Sequence, residues 1–138
     1  MRLIVLDTNV VVSAGISPAG PPANIVAGLV LSGLVHVVTS PGLAAEYREV
    51  VRRARFHRYG FPPLWLGYLI EESMRLPDPA SWPLGCPDPK DTPFIALAHA
   101  AGAWLVTGNL RHFPAETRNG VTVVTPAEYL ARFEARGA

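Results

Sequence analysis

At 138 residues, against ~100–200 for a typical domain, the chain has room for one domain spanning 1–138, and 49% hydrophobic residues suffice for a sizeable core. Asp, Glu, Lys and Arg make up only 17%, below the ~25% of an average soluble domain, yet no apolar run reaches the ~18 residues of a membrane span, which excludes a membrane-embedded chain. The formal net charge of +1, from 12 basic and 11 acidic side chains, lacks the basic surplus that marks many nucleic-acid binders.

In chain order, the apolar run Leu3–Leu6 predicts a first strand. The N-terminal run is too short for a signal peptide, and the single cysteine, Cys86, excludes an intrachain disulfide or a Cys-based zinc cluster; both features predict a cytoplasmic protein. A helix over 22–31 and a strand over 34–38 follow, then a helix over 41–53 that Ser40 caps and Pro41 opens. Helical spacing continues over 62–74. Six of the 14 prolines then punctuate residues 77–93, which predicts a structureless loop of the length that usually serves a function. Beyond it, Phe94, Leu97, Ala98 and Ala101 recur at helical spacing over 93–101, and strands are expected over Trp104–Val106 and 121–124. Thr125 and Glu128 have capping-box spacing before a last helix over 126–134. Strands that are apolar throughout and alternate with helices imply an α/β fold around a parallel sheet covered on both faces.

Reactive groups in such folds collect beyond the carboxyl ends of the strands. Asp7 directly follows the first strand. Read alone, an Asp before Thr8 and Asn9 caps the next helix. Glu46 adds a second acid, because Leu43, Tyr47, Val50 and Val51 form the apolar stripe of its helix and Glu46 lies at the edge of that stripe, whereas Glu49 points away. Asp91 stands before Thr92 and Pro93 at the mouth of the next helix, as a macrodipole partner or as a functional acid. Thr107, Gly108 and Asn109 follow the strand Trp104–Val106; alone they make a turn, but their position brings Asn109 to the same sheet edge.

Three carboxylates in one cleft repel by about 4 kcal/mol per pair at ~4 Å and an effective dielectric near 20. A divalent cation removes that conflict, and hard oxygen ligands with no paired His or Cys select Mg2+ or Mn2+ over zinc. Such a centre hydrolyses phosphate esters by activating water and neutralising phosphate charge.

These segments together resemble the PIN domain, in particular the VapC-like toxins of type II toxin–antitoxin pairs. The resemblance rests on Val5 to Val10, on Ser40 to Leu43 with Glu46, on Asp88 to Asp91 before Phe94 to Ala98, and on Ala103 to Asn109. It implies a three-layer α/β/α sandwich, metal-dependent cleavage of RNA, a homodimer and a cognate antitoxin. Asp7, Glu46 and Asp91 match the acidic metal-site positions, and Thr107 matches a small hydroxyl residue near the pocket. Asn109 departs from the pattern, since many relatives carry Asp there. Its amide oxygen still ligates, but one negative charge is lost; Asp88 compensates or serves as a turn residue, and Asn9 is a further accessory group.

Arg48, Arg52 and Arg55, with Arg53, His57 and Arg58 nearby, form either a solvated helix face or a strip that positions RNA phosphates beside Glu46. His99 and His112 have no partner at ligand spacing and are read as structural or surface residues. Cys86 has no activating neighbour, and Tyr59, Phe61, Trp65 and Tyr68 form core or a surface for a second copy or the antitoxin. Two other enzymatic or fold readings are disfavoured: an Asp7-nucleophile phosphatase by Asn9, where that chemistry has a second Asp, and a dinucleotide fold by the spacing of Gly15, Gly20 and Gly28. A binding module weakened in catalysis at Asn109 stays open.

Overall fold

The computed structural model describes residues 2–80 and 82–135; Met1, Ser81 and residues 136–138 of the expected 1–138 domain lie outside the described residues. Five strands, β1 (Leu3–Leu6), β2 (His36–Thr39), β3 (Met74–Arg75), β4 (Trp104–Val106) and β5 (Val123–Val124), form one sheet in the order β3-β2-β1-β4-β5. Every neighbouring pair is parallel. Ile4, Val5 and Leu6 of β1 are fully buried, so the central strand is apolar because helices cover both its faces. The expected three-layer α/β/α sandwich with a central parallel sheet is what the chain forms.

The helices are α1 (Thr8–Ile16), α2 (Pro21–Ala23), which runs directly into a π-helical stretch (Asn24–Val30), α3 (Pro41–Val51), α4 (Trp65–Glu72), α5 (Thr92–Ala101) and α6 (Pro126–Ala135). Helix α5 packs on β1, β2 and β4 and touches α3, and its run Phe94, Ile95, Ala96, Leu97 and Ala98 is buried without a break. Helix α3 is capped as expected, Ser40 Oγ accepting from Leu43 N at 3.3 Å. The capping box at Thr125 and Glu128 closes in both directions, each bond 3.1 Å.

Helix α1 follows Asp7, which caps it as the isolated reading of that residue expects, and Val10, Val11 and Ala14 bury one face in the core. One element differs from expectation. The helix expected over 62–74 ends at Glu72, and Met74–Arg75 instead pairs with Val38 and Thr39 as the edge strand. The proline-rich loop contains one 3-10 turn, Pro89–Asp91, which leads straight into α5.

Among the described residues no single helix is long and apolar enough to cross a membrane. The bent pair Thr8–Ile16 and Pro21–Val30 meets the criterion by length and composition only, and it buries Val10, Val11, Ile25 and Val26 in the core.

The strand order reverses between β1 and β4: the chain builds outward through β2 and β3 on one side and through β4 and β5 on the other. The carboxyl ends of β1 and β4 therefore flank the switch point, where open α/β sheets place their ligands. Tyr47, fully buried on α3, fixes that helix to this edge by donating its hydroxyl to Leu6 O. Tyr47→Phe leaves that carbonyl unpaired in the core and is expected to destabilise the fold by about 1–3 kcal/mol, read from the midpoint of urea unfolding.

Candidate active site

Asp7 lies one residue past β1 and is 4% exposed. Its Oδ1 accepts from Thr8 N at 2.8 Å, the helix-capping role that an isolated reading assigns it. Its Oδ2 accepts from Thr107 Oγ1 at 2.7 Å and from Asn9 Nδ2 at 3.2 Å, so the same carboxylate ties β1 to the turn after β4. Asn9 strengthens this tie by accepting from Gly108 N at 2.9 Å. A Cβ on residue 108 would stand 3.1 Å from Asn9 Oδ1, a tight contact that the glycine avoids. Burial raises the proton affinity of Asp7; the bonds from Thr107 and Thr8 oppose that, and the Glu46 charge adds to it.

Glu46 reaches the same edge from α3, half-buried, and its Oε2 accepts from the Thr8 hydroxyl. Asp91 occupies the N-cap position of α5 but makes no capping bond with its side chain. The carboxyl turns toward His112 instead: Nδ1 lies 3.1 Å from Asp91 Oδ2, within ion-pair range. It is not aligned as a hydrogen-bond donor, so this buried oxygen has no hydrogen-bond partner among the described residues. Burial pushes Asp91 up to about 6, with the Asp7 charge next in importance and smaller contributions from Asp88 and Glu46, while His112 pulls it down. These mutual influences place Asp7, Glu46, Asp91 and His112 in one electrostatic neighbourhood.

Asn109 is committed to local structure. Its Oδ1 accepts from Arg111 N at 3.3 Å, capping the 3-10 turn Leu110–His112, and its Nδ2 sits 2.9 Å from His112 Nε2. The amide oxygen expected as a ligand accepts this bond with one of its two lone pairs, and the amide nitrogen holds His112 over Asp91. Nothing at sequence level marked His112 for the site, because the contact depends on the 3-10 turn that folds it back; the only trace was its spacing of three residues from Asn109. Asp88 also serves its turn, accepting from Lys90 N at 3.0 Å. Thr107, fully buried, orients Asp7.

The arginines stand apart from the acids. Arg48 is two residues from Glu46 and therefore about 200° round α3, and Arg48 and Arg52 line a separate groove with Pro62, Pro63 and Leu66. Arg55 stacks over Phe56 and Arg58 over Tyr59, each 4.8 Å from the ring centroid. Among the described residues His112 and Asp91 make the one ion-pair contact, so Arg48, Arg52, Arg53, Arg55 and Arg58 all lack an acidic partner. His99 packs edge-on against Trp82 with ring centroids 5.1 Å apart, a structural role as expected. Burial pushes the Cys86 thiol up, aided by the Asp91 charge, which leaves it a poor nucleophile.

A family model of the PIN domain matches residues 3–111. The chain belongs to the PIN domain family. Members of this family are generally nucleases and generally use divalent metal ions. Among solved structures, a chain of FitAB bound to an IR36 DNA fragment is similar in fold, with a TM-score of 0.53 and 21% identity over 89% of this chain and 94% of that one. No curated protein matches this PIN domain significantly in sequence.

The donor chemistry of this PIN domain suits a hard cation: the converging groups are carboxylate oxygens, two of them hold protons abnormally tightly, and Asp91 Oδ2 is buried without a hydrogen bond. Among the described residues, however, no three His, Cys, Asp or Glu side chains stand close enough to form a ready-made cage. Glu46 on Thr8 and Asp91 beside His112 have taken protein partners instead. Magnesium tolerates such spacing because it keeps several waters and binds through one or two carboxylates.

A raised folded-state value means that the folded protein holds the Asp91 proton more tightly than the unfolded chain, whose reference is 3.8. The stability from this group is full below about 3.8 and is lost as pH rises through about 6. In EDTA, Asp91→Asn is therefore expected to melt higher than wild type at pH 7, with the gap closing toward pH 4; circular dichroism melts across that range measure it.

Proposed function

We propose that this PIN domain is a metal-dependent endoribonuclease, the toxin of a toxin–antitoxin pair, acting in the cytoplasm on RNA phosphodiesters with Mg2+ or Mn2+. The observation that carries the reading is the approach of Asp7, Glu46 and Asp91 to the switch point between β1 and β4, with two of the three acids raised in proton affinity. Burial raises them first and mutual repulsion adds to it, and a cation there offsets both.

Asp7, Glu46 and Asp91 are the residues that would hold the ion. When bound, the ion supplies Lewis-acid chemistry, polarising a water and offsetting charge on the phosphate. The chain's own groups do the rest. Thr8 N, Thr107 Oγ1 and Asn9 Nδ2 fix both oxygens of Asp7. Asn109 steadies the His112 ring that faces Asp91 Oδ2.

Arg48, Arg52 and Arg55 fit a role as RNA anchors, since among the described residues all three are exposed without an acidic partner and Arg48 and Arg52 line a groove apart from Glu46. The nucleic acid in the FitAB structure supports nucleic acid as the class of partner. For the homodimer and the antitoxin, support comes from the exposed Leu64, at 99%, and Tyr68, at 53%; Phe61 and Trp65 of the same cluster turn inward. A second reading, a module that binds RNA or an antitoxin without cutting, is favoured by one observation: residue 109 is a neutral amide whose oxygen already accepts from Arg111 N.

The deciding experiment is cleavage of labelled RNA with Mg2+ or Mn2+. Asp7→Asn keeps the cap of α1, and with Asp91→Asn it is expected to lower the rate by more than the roughly 10–100-fold that losing a mere supporting partner costs. Wild-type rates in both variants would defeat the assignment, and tight metal binding without any cleavage would favour the second reading. Arg52→Ala with Arg55→Ala is expected to weaken RNA binding and to reduce the salt slope by about 0.7 per lost phosphate contact, measured by anisotropy between low and high salt.

A further inference from the structure

A cavity of about 580 Å3 opens beside the carboxylates, between the N-terminal turns of α3 and α5 and the proline-rich loop. We propose that it seats one unstacked nucleobase of single-stranded RNA, the base next to the phosphate that meets Asp7 and Asp91. The location of that phosphate rests on the nuclease reading; the pocket itself does not.

The size lies within the roughly 300–1,000 Å3 of sites that take small organic groups, and the walls have the usual make-up of such sites, mostly apolar with a few polar atoms. Leu43, Pro79, Trp82, Pro93 and Phe94 supply apolar and aromatic wall. Glu46 belongs both to this wall and to the acid cluster, and Lys90 lies on the wall one residue from Asp91. Whatever fills the cavity is thus contiguous with a group at the carboxylates, as a base is with its own phosphate. Lys90 is exposed and, among the described residues, has no acidic partner, so it is available to the RNA backbone.

The wall is also held in place before any ligand arrives. Trp82 donates its Nε1 hydrogen to Thr117 O at 3.1 Å and rests against His99. Asp78 Oδ1 accepts from Gly42 N at 2.8 Å and pins the loop to the first turn of α3. A Cβ on residue 42 would stand 2.9 Å from that oxygen, so the pin depends on the glycine. A preformed aromatic and proline wall binds without an ordering cost, and stacking on it accepts any base. A base held in a duplex must first leave its stack to enter a cavity, which favours single strands.

The test is fluorescence anisotropy with the full chain in EDTA, where no cleavage intervenes, using a labelled oligouridine just long enough for one binding register and a series of the same RNA with one abasic residue moved along it. One abasic position is expected to lower affinity about tenfold while the others change it little. The cavity-filling variant Ala80→Trp is expected to bind intact RNA as weakly as wild type binds that abasic RNA. Equal affinity for intact and abasic RNA overturns the proposal, and needs no variant to fold. Unchanged RNA affinity in Ala80→Trp together with loss of self-association in ultracentrifugation also overturns it, giving the cavity to a second copy. The abasic effect without any metal-dependent cleavage would sink the nuclease reading and leave the pocket standing; cleavage without the abasic effect would do the reverse.

Discussion

Burying the Asp7 carboxylate at the end of the central strand is the constraint around which the surrounding residues are arranged. A charged carboxyl removed from water costs several kcal/mol unless donors replace its hydration. Thr8 N, the Thr107 hydroxyl and the Asn9 amide do so, and each comes from an element that Asp7 thereby joins: the start of α1 and the turn after β4. Tyr47 adds a bond to the residue just before it, Leu6, and brings α3 with Glu46 to the same edge. The replacement is incomplete, since burial still outweighs the donated bonds and raises the proton affinity of Asp7. The architecture that joins the two halves of the sheet is the same architecture that leaves negative charge unsatisfied at their junction.

That imbalance gives the near-neutral charge of the chain a spatial meaning. Acids gather at the strand ends, while five arginines around the end of α3 face solvent, and among the described residues the two groups make no ion pairs with each other. In the sum they nearly cancel; in space they stay separate, so each retains its field. An anionic polymer is attracted by the arginines and repelled by the carboxylates, so the two groups act on it with opposite sign at different places.

Much of the fold was legible because its signals are local. The strand Leu3–Leu6, the cap at Ser40 and the capping box at Thr125 depend on neighbours within four residues, and all form as expected. Local signals misled at Met74–Arg75, which is strand only because Val38 and Thr39 offer free hydrogen-bonding groups.

The site divides in the same way. Asp7 and Asp91 could be found from the linear order of elements, since an acid directly after an apolar strand or before a capped helix stands at the sheet's carboxyl edge whatever the details. Glu46 needed only the helical repeat. The sequence alone therefore determined the fold class and that these acids share one edge of the sheet. It could not establish that Asn109 spends its oxygen on a turn, that His112 folds back over Asp91, that Arg48 and Arg52 face away from Glu46, or that a cavity opens between two helix starts and a loop. Those follow from how elements far apart in the chain pack against one another, because hydrogen-bond partners and enclosed space belong to pairs of surfaces, and no single stretch of residues encodes both.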